Sequence, residues 1–216
     1  EIHHVLEAVY RDVANVHMKE CRRCLNRMKD GLDYLQSDQM AKKAFQLANY
    51  AVLLQQVRSR REPRWAQYDT KEHRIKFSAP YIPANDLSAG SGRGKWRAFQ
   101  AAFLLASVRS TAENDVPERR IVDLIWFPTG GGKTEAYLGL AAFAILMRRL
   151  KNPQDAGVHV LMRYTLRLLT AQQFLRASGL LCALEYLRRK NPGELGKDGF
   201  SIGLWLGGDT TPNSRR

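Results

Sequence analysis

The segment that most restricts what this chain can become is Pro128-Thr129-Gly130-Gly131-Gly132-Lys133-Thr134. An apolar run, Ile121-Val122-Asp123-Leu124-Ile125-Trp126-Phe127, leads into it, and a helical apolar pattern over residues 133–150 leads out. The three glycines lack a β-carbon, so the backbone can wrap closely around an anion and turn its N–H groups towards phosphate oxygens. The Lys133 ammonium suits the β- and γ-phosphates of a nucleotide, and the Thr134 hydroxyl suits Mg2+. A helix starting at Lys133 points its positive end at the same anion. This order of strand, glycines, Gly-Lys-Thr and helix predicts a phosphate loop binding ATP and Mg2+. Its contacts would come from Thr129, Gly130, Gly131, Gly132, Lys133 and Thr134, with Thr134 as the metal ligand and Lys133 and Thr134 as the catalytic pair. Glu135 follows directly and joins the nucleotide-contacting set, supporting the first helical turn electrostatically. The sequence departs from the general pattern at Phe127, where Gly or Ala is usual.

Around the loop the chain reads as α/β. Beyond Trp96 the pattern predicts helices over residues 97–110, 133–150 and 166–189, with strands over 121–127, 158–164 and 201–206. This is an incomplete P-loop domain with a parallel sheet, spanning residues 96–216. Residues 1–61 read as a helical accessory region. Val5, Val9 and Val13 or Val16, then Leu25, Met28, Leu32 and Leu35, recur at helical spacing. A second helix over 37–57 takes Ser37 as its cap and Met40, Ala44, Leu47 and Ala51 as its inner stripe. Residues 62–95, rich in Pro and Gly, read as a linker around one short strand at 74–77.

The 216 residues suffice for a real core, and 44% apolar content places the chain among globular proteins. A formal net charge of +13 favours a polyanionic partner, with nucleic acid first among them. Three cysteines supply no disulfide framework. No stretch is long and apolar enough to span a bilayer, and no signal-peptide pattern opens the chain, so a cytoplasmic location without membrane partners is expected.

The Pro-Thr-Gly-Gly-Gly-Lys-Thr form resembles that of superfamily 2 helicases, whose ATPase domains are RecA-like. Upstream, Trp96-Arg97-Ala98-Phe99-Gln100 resembles the segment in which that superfamily reads adenine, and the donor and acceptor of the Gln100 carboxamide match the adenine edge. Downstream, Met162-Arg163-Tyr164-Thr165-Leu166-Arg167-Leu168-Leu169-Thr170-Ala171-Gln172 resembles a motif that touches one nucleic-acid strand. Here Arg167, Leu169 and Gln172 match, whereas Thr165 and Leu166 replace the usual Pro and Thr. By this resemblance Arg163, Thr165, Arg167, Gln172 and the paired Gly207 and Gly208 are candidate nucleic-acid contacts. The extended strings 126–140 and 162–170 together resemble the helicase subunit of the DISARM anti-phage defence system, a likeness covering residues 96–213. It implies an ATP-hydrolysing DNA helicase or translocase in antiviral defence. Its expected partners are DNA, another defence-system subunit and the remainder of a longer protein with a second RecA-like domain.

No Asp-Glu-x-Asp or Asp-Glu-x-His string occurs in the sequence, so this segment is expected to hold nucleotide without turning it over well. Two rivals stay open: a nucleotide-gated regulatory ATPase that controls assembly with a partner without translocating, and a small-molecule kinase. The 162–172 string and the basic charge argue against the kinase. His17, Cys21 and Cys24 share helical spacing but supply three ligands where structural zinc takes four. Cys182 is expected to be packed inside its helix.

Overall fold

A computed structural model describes residues 8–58, 64–80, 94–126, 128, 130–164 and 167–205, the side chains of 8, 9 and 167–170 excepted. The elements in chain order are α1 (Ala8–Ser37), α2 (Gln39–Arg58), β1 (Ala66–Asp69), β2 (Arg74–Phe77), α3 (Ala98–Ala112), a short 3-10 turn (Pro117–Arg120), α4 (Lys133–Lys151), α5 (Arg167–Lys190) and α6 (Pro192–Leu195). Among the described residues the only sheet is the antiparallel pair β1–β2.

The body is therefore helical. The expected RecA-like parallel sheet is absent from the described residues, and with it goes the platform on which a helicase, translocase or other ATP hydrolase of that class is built. The regulatory-ATPase alternative falls on the same ground. Residues 121–126, 158–164 and 201–205 carry the apolar composition of strands, yet none forms a strand pair with another of the described residues. A strand exists only when its N–H and C=O groups are matched by an adjacent chain. Several apolar side chains of these runs face outwards, Val122 being 94% exposed, Trp126 91% and Val158 88%, while Met162 packs against the helical core. An apolar run reports a preference for burial and says nothing of whether a pairing partner is in place.

α2 packs on α4 and α5, and α3 packs on α1 and α4. The α2 face turned inwards carries Ala41, Ala44, Ala48 and Ala51, small enough to let the neighbouring helices approach. Met40 and Leu47, expected on that stripe, sit to one side: Met40 is exposed and Leu47 half-buried. The cap is Asp38 rather than Ser37, since Asp38 Oδ1 accepts from the Ala41 N–H at 2.8 Å. Ser37 Oγ donates back to the Asp33 carbonyl at 2.9 Å, which keeps it inside α1. On α1 the inward face is Gly31, Tyr34 and Leu35, whereas Leu25 and Leu32 are exposed. From Tyr10 to Asn26 every side chain but Ala14 is exposed. Cys182 also faces outwards, between the buried Leu180 and the Ala183–Leu184 pair of α5, and Cys21 and Cys24 are free and exposed. No described helix is long and apolar enough to cross a membrane.

Several cations are spent on holding helix ends to the chain rather than on a surface patch. Buried Arg149 donates to the Leu195 and Asp198 carbonyls at 3.0 and 2.6 Å, with its guanidinium 4.8 Å over the Phe200 ring. Arg188 donates to the Gly196 and Lys197 carbonyls and forks onto Glu185. Arg188 first, and then Arg189 and the Phe200 N–H, hold the Glu185 carboxyl down at about 2, against an ordinary value of 4.5. A carboxylate depressed in this way contributes stability that is complete above about pH 4.5 and lost as pH falls towards 2. The Glu185→Gln variant should therefore be less stable than the parent at neutral pH, and the gap should close as acid titrates the parent through that window. Thermal melts from pH 7 downwards check this; a gap of constant size would contradict it.

Candidate functional site

The glycine segment forms a tight turn between the extended residues 121–126 and the start of α4. Gly130 and Gly132 both adopt the left-handed conformation, with φ of 80° and 90°. Only glycine takes that conformation readily. A β-carbon at Gly130 would meet nothing within 4 Å, so the turn is open to solvent there, whereas one at Gly132 would come within 2.8 Å of Gln100 Nε2. Gly132 is the N-cap of α4 and supplies no side-chain cap. The N–H groups opening that helix thus lack the usual Ser, Thr or Asp oxygen and are left to water or an anion.

The turn is fixed from behind by the start of α3. Arg97 Nη1 donates to the Gly131 carbonyl at 2.7 Å, and Gln100 Nε2 donates to the Gly132 carbonyl at 2.7 Å. Gln100 Oε1 accepts from the Arg97 N–H at 2.8 Å, so the carboxamide is engaged at both ends while only 4% of the residue is exposed. Two loop carbonyls are thereby drawn backwards by α3. Lys133 Nζ lies across the turn and donates to the Pro128 carbonyl at 3.1 Å. Thr134 follows in the first turn of α4, and Glu135 beside it is ion-paired with Arg176 of α5.

Sequence and structure thus bring together Gln100, Gly130, Gly131, Gly132, Lys133, Thr134 and Glu135. Thr129, Thr165, Gly207 and Gly208 lie outside the described residues. Arg163 is exposed just before α5, Arg167 opens that helix, and Gln172 is exposed in its second turn. Two participants were not singled out by sequence reasoning. Arg97 stands in the quoted string with Gln100 and had that much signal. Arg176 had none, because its role depends on α4 and α5 lying side by side.

Chemically, the turn offers backbone amides at a helix N-terminus, one ammonium within reach, one hydroxyl, and nearby guanidinium groups whose carboxylate neighbour Glu135 is already neutralised. This donor set is suited to an anionic group such as a phosphate. Among the described residues no cluster of three His, Cys, Asp or Glu side chains is placed to hold a metal by itself.

No protein-family model matches the chain, and no solved structure matches it. One curated protein does: the chain is 38% identical over 204 residues to the DISARM protein DrmA of Bacillus paralicheniformis. The match takes in 91% of this chain and 17% of that protein, so the chain spans about a sixth of the length of its relative.

Proposed function

We propose that this chain, a distant homologue of a segment of a DISARM protein, is a helical part of a multi-subunit defence assembly that binds the phosphates of a nucleoside triphosphate with Mg2+. The observation that carries the reading is the turn itself: two left-handed glycines before an uncapped helix N-terminus, with its carbonyls held back by Arg97 and Gln100. Backbone N–H groups of residues 130 and 132–134 would take the β- and γ-phosphates, while the Gly131 N–H closes the turn on the Pro128 carbonyl at 3.2 Å. Lys133 would release the Pro128 carbonyl to meet them, and Thr134 would join the magnesium shell. The role is binding, and no hydrolysis is assigned to it.

The test is calorimetric titration of the full chain with Mg–ATP and with AMP, which lacks the outer phosphates. Mg–ATP should bind more tightly than AMP. Lys133→Ala should weaken Mg–ATP by roughly tenfold or more, the order of one charge-assisted contact. Equal affinities for the variant and the parent would remove the proposal.

A second and separable part concerns DNA. The start of α5 places Arg163 and Gln172 at the surface beside a helix N-terminus, an arrangement suited to the backbone of a strand. Together with the net charge of +13, this supports DNA as a partner of the assembly.

A further inference from the structure

Gln100 heads the buried stripe of α3. Leu104 and Val108 follow it one helical turn apart, and the three are 4%, 2% and 0% exposed. The carboxamide therefore points inwards, against the start of α4, and both of its ends are in use. Oε1 accepts from the Arg97 N–H at 2.8 Å and so satisfies a donor at the opening of α3, while Nε2 donates to the Gly132 carbonyl at 2.7 Å. The fit is close: a β-carbon on Gly132 would come within 2.8 Å of Nε2, so no ligand atom can pass between the carboxamide and the turn.

A carboxamide reads adenine by turning its donor and its acceptor together towards the base edge. For Gln100 to make that contact, which its resemblance to an adenine-reading segment implies, it would have to leave the buried stripe. The move would uncap α3 and release the Gly132 carbonyl. A freed carbonyl beside the amides that open α4 would set its negative end against the phosphates those amides are suited to hold. Base contact by Gln100 and a turn held ready for phosphate thus exclude each other. The other polar side chains that brace the turn are engaged as well, Arg97 Nη1 on the Gly131 carbonyl at 2.7 Å and Glu135 on Arg176. Among the described residues that form the turn or bond to it, Gln100 is the only carboxamide.

We infer that the turn selects the polyphosphate tail and not the base, with Gln100 as a positioning residue that keeps the Gly132 carbonyl away from the phosphates. This rests on the reading of the turn as a phosphate site, and it names the ligand class as nucleoside triphosphates of any base. The experiment is calorimetric titration of the full chain with Mg–ATP, Mg–GTP and inorganic tripolyphosphate with Mg2+. ATP and GTP should bind within about threefold of each other. Gln100→Glu keeps the acceptor at the third position of α3, where Glu is a favoured residue, and removes the donor to Gly132. It should weaken all three ligands by one common factor, about fivefold or more, the order of one hydrogen bond. A base reader would lose ATP alone, and a residue that only supported the fold would leave the affinities of the folded protein unchanged. Should Gln100→Glu lose its far-UV circular dichroism, Gln100→Met, of similar length and without the donor, is titrated instead. Four results each overturn this inference alone: a tenfold or greater preference for ATP over GTP, a loss confined to ATP, unchanged affinities in the variant, or tripolyphosphate that fails to bind where the nucleotides do. Absence of binding by all three ligands overturns it together with the reading of the turn.

Discussion

Phe143→Ala is expected to cost the fold about 4 kcal/mol and to lower its melting temperature by roughly 10 °C. Phe143 is fully buried in α4 and meets Phe45 of α2 edge-on, with ring centroids 6.3 Å apart. Its neighbours in the core, Leu146 and Ala142 of α4 and Leu180 and Leu184 of α5, are likewise all but sealed from solvent. Truncation would remove the transfer free energy of the ring and leave a void, and three helices meeting around it leave little room for collapse. The alanine stripe of α2 compounds the effect, since Ala44, Ala48 and Ala51 have no side chain long enough to reach into the gap. Urea unfolding followed by circular dichroism should show a lower midpoint with the slope retained. A loss below about 1 kcal/mol would mean that α4 does not sit at the centre of the body.

Gly31→Ala should destabilise the fold by about 2 kcal/mol, against the ordinary gain of roughly 1 kcal/mol from placing Ala in a helix. A β-carbon there would lie 1.8 Å from the Leu105 carbonyl oxygen and 3.1 Å from Val108 Cγ2. The obstacle is the backbone of α3, which cannot rotate aside as a side chain could, so α1 and α3 would have to separate. Separation would strain the other ties between them, the Arg109–Asp30 ion pair and the 3.0 Å bond from Arg27 Nη2 to the Ala106 carbonyl. It would also pull on Asp123, which Arg27 grips with both nitrogens at 2.5 and 2.8 Å. Hydrogen exchange should therefore quicken in α1 and α3 while α5 keeps its protection. An alanine variant as stable as the parent would show that the two helices do not approach this closely.

Much of the helical architecture was legible in the sequence, because a long amphipathic or apolar period declares a helix without reference to its neighbours. The expected spans 97–110, 133–150 and 166–189 meet α3, α4 and α5 within a turn. The inner faces were read less well. Helical spacing placed Ala44 and Ala51 correctly on the inner face but also put Leu32 and Met40 there, whereas the close approach of the helices selects Gly31, Ala41 and Ala48. The three apolar runs at 121–127, 158–164 and 201–206 were read as strands of a parallel sheet, and this was the largest error. Composition carries the tendency to bury, but pairing is a property of two chains, and the described parts of these runs have no second chain beside them. At the candidate site the local pieces were legible: the glycines, Lys133 and the helix that follows. The supports were not, since Arg97 and Arg176 reach the turn and Glu135 only once α3 and α5 flank α4. Part of the basic excess lies inside the fold, where Arg149 and Arg188 donate to backbone carbonyls, and that inward use was not legible from composition.

The most direct test of the central claim is to follow the backbone amides of the isotopically labelled full chain by NMR while Mg–ATP is added. Saturable shifts concentrated on Gly130, Gly131, Gly132, Lys133 and Thr134, and abolished in Lys133→Ala, are the predicted result. Amides of the turn that stay still at saturating nucleotide, or shifts that gather elsewhere in the chain, would contradict it.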